Sequence, residues 1–196
     1  MEVKSPTPDY DYMHVGLPEL YPWVLFTAGL ISFEVLLIGF WSGCHRPTLF
    51  NKEFMTKNFG DAHKKAFGTR ETLPQGGYPD HGNGFYGDKL SYKDWFEFAV
   101  AQRTHKNALE QVTIVVFAMM VTGVRFPLPT IIIGALHLIG RIVFTVGYIQ
   151  ASGSGSNKGR VWGTIMCIIT TFVLLAMGLL VAWQYTQLFE RSGRAT

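Results

Sequence analysis

The chain has 196 residues, of which 48% are apolar and 16% charged, with a formal net charge of +3. So small a charged fraction, against roughly 25% in soluble domains, excludes an ordinary water-soluble globule, and so small a net charge gives no basis for nucleic-acid binding. Two cysteines, Cys44 and Cys167, cannot make a disulfide framework and are expected to stay reduced.

Residues 1–20 are polar, with Pro6, Pro8 and Pro18, and read as an extended arm. With Asp9, Asp11 and Glu19 against a single Lys4, they make a poor secretory leader. Four apolar blocks follow: Tyr21 to Trp41, Ala108 to Val124, Leu128 to Tyr148 and Val161 to Tyr185. The second is extended upstream by the amphipathic stretch Tyr92 to Asn107. Each reaches the ~20 residues needed to cross ~30 Å of hydrocarbon, the second only with its polar turns counted. Pro22 suits the first turn of a helix, and Arg46-Pro47 is expected to end the first helical region. Residues 50–91 hold Pro74, Gly76, Gly77, Pro79, Gly82, Gly84 and Gly87, so turn chemistry is expected there, with one short helical turn from Asp61 to Phe67. Pro127 and Pro129 make the next connection very short, and Ser152 to Ser156 reads as a flexible link. The pattern predicts an all-α, four-transmembrane-helix bundle: an integral membrane protein with helices near 21–41, 92–124, 128–148 and 161–185, a long 42–91 loop and a short 186–196 tail. The 42–91 and 149–160 loops carry nine Lys/Arg against four on the other side, which places both loops on the cytosolic or matrix-like face.

The candidate chemistry begins with Arg103, Asn107 and Glu110, at i, i+4 and i+7. At about 100° per residue they fall within roughly 60° of one another on one helix face. A charge left unpaired at mid-bilayer costs roughly 2.5–3.5 kcal/mol, so the cluster needs a polar partner. Either Arg103 takes a carboxylate, Asn107 an amide and Glu110 an ammonium or thiol-bearing group, or the charges only stitch helices together. His137, Arg141 and Tyr148 form a second face, within about 40° of one another. Arg141 is either a second anion contact or the partner of Glu34 or Glu110. Glu34, isolated in the first block, suits a buried partner for an arginine better than a proton carrier. Cys44-His45 lacks companion ligands, so no metal is expected, and the glycine turns around His81 read as turns only.

The stretch Gln102-Arg103-Thr104-His105-Lys106-Asn107-Ala108-Leu109-Glu110 resembles a Q-R-x-H-x-N-x-L-E signature of the MAPEG family, the membrane-associated proteins in eicosanoid and glutathione metabolism, in its microsomal glutathione transferase 3 branch. Gly140-Arg141-Ile142-Val143-Phe144-Thr145-Val146-Gly147-Tyr148 is similar to that family's G-R-x-x-Y-x-x-G-Y. The resemblance covers roughly residues 21–185. It implies a homotrimer in the membrane lipid, with glutathione as co-substrate between protomers, held by Arg103, His105, Asn107 and Glu110, with Arg141 and Tyr148 contributing. The chemistry implied is attack of a glutathione thiolate on a lipophilic electrophile or hydroperoxide, with a cation lowering the thiol pKa.

Four departures stand out. Phe144 replaces a tyrosine, Gln111 an aromatic and Thr113 a proline, and the arginine expected in the last connection falls on Gly155, leaving Lys158 and Arg160 as substitutes for thiolate activation. Two functions follow: a glutathione-dependent transferase or peroxidase of an intracellular membrane, endoplasmic reticulum or mitochondrial, or a catalytically silent relative that became a structural subunit of a larger membrane complex such as a mitochondrial respiratory assembly. In the second, residues 1–20 and 50–91 would be docking arms.

Overall fold

The structure is a computed structural model that describes residues 16–68, 72–154 and 158–193. Among the described residues it is all-α: α1 (Tyr21–Leu49), α2 (Lys52–Phe67), α3 (Tyr92–Gly123), α4 (Pro127–Ser154) and α5 (Lys158–Gly193), with a 3-10 turn at Gly87–Lys89 before α3. α3 and α4 occupy the middle of the bundle, and each packs on both α1 and α5. Three helices, α1, α4 and α5, carry apolar runs long enough to cross a membrane. The N-terminal half of α3 is too polar for that, although the helix runs the length of the bundle.

The packing follows from small residues placed where backbones meet. At the α4–α5 seam, a Cβ added to Gly163 would strike the backbone of Phe144, and one added to Gly147 the backbone of Gly159–Arg160. Close approach of this kind is how helices associate in lipid, where apolar surface alone gives no drive. Between α1 and α3 the core is Tyr21, Val24, Ala28, Ile31, Val115, Ala118 and Met119, closed by Leu174 of α5. Trp23, Phe26, Phe33 and Phe40 of α1 and Phe172 and Leu179 of α5 stay exposed, as a lipid-facing surface requires.

The connection after α1 differs from expectation. α1 does not stop at Arg46-Pro47 but continues to Leu49, because a proline in the last turn breaks few helical bonds. The single turn expected at Asp61 to Phe67 is a full helix, α2, of 16 residues. Asn51 caps it by accepting from the Phe54 N–H at 2.9 Å, Glu53 lies in its first turn, Lys64 and Lys65 lie in its last, and Gly68 ends it at φ +85°. Its buried residues, Met55 and Phe59, pack with Phe50 and Phe98 into a second core beyond the membrane helices. The expected flexible link is also shorter than predicted: the backbone of Ser152 to Ser154 continues α4, and Lys158 already begins α5. Gly155, where the expected arginine is missing, lies outside the described residues, as do 1–15 of the N-terminal arm and 194–196 of the tail.

Candidate functional site

At the loop end of the bundle a cleft of about 390 Å³ opens beside α3. Trp95, Phe96, Ala99 and Val100 make its apolar floor, while Gln102, Arg103 and Lys106 continue the same helix toward the membrane. Tyr148 enters from α4, and His81, Gly82 and Asn83 form the opposite rim. Among the described residues two cations and no acid line it, so it suits an anionic ligand with an apolar portion.

The rim is built by two residues. Asp80 is buried and accepts four backbone N–H bonds, from Gly82 at 2.7 Å, Gly84 at 3.0 Å, Tyr86 at 2.7 Å and Gly87 at 2.7 Å. Burial pushes its carboxyl up, but the donors from Gly87, Gly82, Tyr86 and Gly84 together outweigh that and hold it below the ordinary aspartate value. Arg46, at the end of α1, donates to the Asp80 carbonyl at 2.7 Å and the Gly76 carbonyl at 3.2 Å, its guanidinium 4.3 Å from the centre of the Tyr78 ring. Trp95 Nε1 donates to the Gly82 carbonyl at 2.7 Å. Gly82, at φ +94°, lies so close to Phe98 that a Cβ would come within 2.9 Å of that ring. The turns around His81 are therefore an ordered wall of the cleft. An Asp followed by spaced glycines was the available sequence signal.

The candidate residues of α3 separate into four placements. Arg103 faces the cleft, exposed, with half-buried Lys106 beside it. Gln102, on the cleft's inner side, donates to Ser42 Oγ at 2.9 Å. His105 instead packs on α1, where a Cβ on Gly39 would come within 2.9 Å of its Nε2. Asn107 turns inward and its Oδ1 accepts from Arg141 Nη1 at 2.7 Å. Glu110 is exposed on the outer face of α3 and does not line the cleft. The structure thus brings Arg103, Lys106 and Tyr148 together and leaves His105 and Glu110 apart from them.

Arg141 is only 2% exposed. Besides Asn107 it meets Glu34, Nε to Oε2 at 3.9 Å, and lies 5.2 Å from the Phe144 ring centre. The pairing with Glu34 is one of the two partnerships the sequence allowed. His137 is buried on the same helix and shares a 2.9 Å hydrogen bond with Thr170 of α5. Arg160, in the first turn of α5, holds its guanidinium 5.5 Å from the centre of the Tyr148 ring, next to the cleft. Lys158 is exposed at the start of that helix.

A model of the MAPEG family matches residues 54–183, from within α2 to within α5. No curated protein matches the chain. The match spans about two-thirds of the sequence and contains every cleft residue. This chain belongs to the MAPEG family.

Proposed function

We propose that the protein is a glutathione-dependent transferase or peroxidase of an intracellular membrane, acting on lipophilic electrophiles or lipid hydroperoxides. The observation that carries this reading is the placement of Arg160 over the Tyr148 ring, beside the cleft lined by Arg103 and Lys106. The activating cation absent at Gly155 has a replacement within one helical turn of where α5 begins. Arg103 and Lys106 supply charge for the carboxylates of the tripeptide. Arg160 stabilises the thiolate, which then attacks the electrophile and displaces its leaving group. With a hydroperoxide, the thiolate takes the terminal oxygen as the O–O bond breaks and the alkoxide is protonated. A second glutathione then reduces the sulfenic acid to disulfide and water. Glu110, exposed on an otherwise apolar stretch, supports a homotrimer in which a neighbouring protomer covers that face.

A second reading has one observation in its favour. α2 and the 72–91 loop form an ordered head with Phe67, Tyr78 and Phe85 exposed, as a structural subunit docking to other proteins would present. Glutathione binding and conjugation of a chloronitrobenzene in detergent decide between the two. The enzyme reading expects millimolar or tighter binding, weakened at least tenfold in Arg103→Ala, and turnover lost in Arg160→Ala with binding kept. Absent binding, or turnover indifferent to Arg103→Ala, ends it. Co-purification with other subunits that is lost on deleting residues 72–91 would establish the structural role.

A further inference from the structure

The charges of α2 fall into two rows. Glu53, Lys57, Asp61 and Lys65 follow one another at the four-residue spacing that pairs charges on a helix, so each lysine of that row has an acid within reach. The adjacent row is Lys52, Thr56, Gly60 and Lys64. Its two exposed lysines have no acid four residues away on either side and form no ion pair among the described residues. This second row is one wall of a cavity of about 300 Å³, and Thr72, Leu73 and Gln75 supply the other. Met55 and Leu73 belong also to the core around Phe50 and Phe98, so the cavity is built on packed residues.

The polar lining consists of ammonium, hydroxyl and amide groups that donate to a compact oxyanion, with no acid among the described residues. His63 lines the cavity as well. Its ring packs 4.8 Å from that of Phe67, and its Nε2 is enclosed without a hydrogen-bond partner, a state that an anion seated beside the ring relieves. Lys52 begins α2 just after α1 ends at Leu49, where the first span leaves the bilayer and lipid phosphates lie.

We propose that Lys52, Thr56 and Lys64 of α2, with Thr72 across from them, form a binding site for a terminal phosphate group. The site shares no lining residue with the cleft. A lipid bearing a phosphomonoester is one source of the group and a soluble phosphate the other. Bound there, the phosphate bridges α2 to the 72–75 segment, so occupancy stabilises the head by mass action.

The test titrates the full chain in neutral detergent with dioctanoyl phosphatidic acid, inorganic phosphate or dioctanoyl phosphatidylcholine. Melting temperature and hydrogen exchange of α2 and residues 72–75 are the readouts. A phosphate ligand is expected to raise the melting temperature and slow exchange in both segments, and phosphatidylcholine to do neither. Response to phosphatidic acid alone assigns the site to lipid, and an equal response to inorganic phosphate assigns it to a soluble source. Lys52→Gln with Lys64→Gln should weaken binding about tenfold or more, through the loss of two charge-assisted contacts. Lys57→Gln with Lys65→Gln removes the same charge from the other row and should leave binding unchanged. Gly60→Leu keeps every charge but fills the cavity. It should block binding without lowering the melting temperature of the free protein, because glycine is the poorer helix former and a Cβ there meets only Thr56 Cγ2, at 3.6 Å. Equal weakening in the two double variants would reduce the effect to net charge and overturn the site. Binding that survives Gly60→Leu, an equal response to phosphatidylcholine, or no response to either phosphate would overturn it too.

Discussion

Asp80 shows how one side chain can organise a functional wall from residues that look like filler. Its four backbone donors are the reason a run of glycines holds a single shape. Asp80→Asn exchanges a charged acceptor for an amide whose NH₂ faces donors. Charge-assisted bonds contribute about 1.5–3 kcal/mol each, so the substitution should cost at least about 3 kcal/mol of local stability. Limited proteolysis of the 72–91 loop checks this, and cleavage no faster than in wild type would contradict it. The pH dependence has a definite sign. The folded carboxyl lies below its unfolded value, so its stabilisation is complete above the unfolded value near 4 and fades as pH falls through the lower folded one. Loop protection in hydrogen exchange should therefore be flat from pH 8 to 5 and decline only in stronger acid.

At the scale of the helices, the α4–α5 seam depends on glycine. Gly163→Val places new atoms against the Phe144 backbone, and overpacking of this kind costs about 1–3 kcal/mol. The variant should melt earlier in detergent and lose the Arg160–Tyr148 contact, so turnover should fall with stability. Unchanged melting would show that the helices part more easily than the seam implies. The long helices α1, α4 and α5 were legible because twenty-residue apolar runs admit little else, and α3 only by joining its apolar half to the amphipathic stretch before it. α2 was not, because only Met55 and Phe59 mark its buried side while its charges suggest a solvated loop. The spacing of Arg103, Asn107 and Glu110 was legible as one side of a helix, but their different surroundings, the cleft for Arg103 and the open outer side for Glu110, were not. The inward turn of Asn107 was not, because it depends on Arg141, which is 34 residues away in sequence. The cleft rim was missed for a similar reason: a glycine-rich segment signals freedom of backbone, and only the Asp80 and Arg46 contacts reveal that the freedom has been removed.

For the whole molecule, the charge bias and the helix count make a topological prediction. In a variant lacking Cys44 and Cys167, a cysteine at Lys57 should react with a membrane-impermeant maleimide from the cytosolic or matrix-like side, and one at Arg125 only from the other. Reaction of both from one side would show that α3 does not carry the chain across the membrane. Arg46 gives the architecture a mechanical property. It belongs to a bilayer helix, yet it grips the carbonyls of Gly76 and Asp80 in the head. The first span and the cleft's outer lip are thus riveted together. A lean of α1 in a thinner or thicker lipid sheet would be carried, lever-like, to His81 and Asn83 at the entrance.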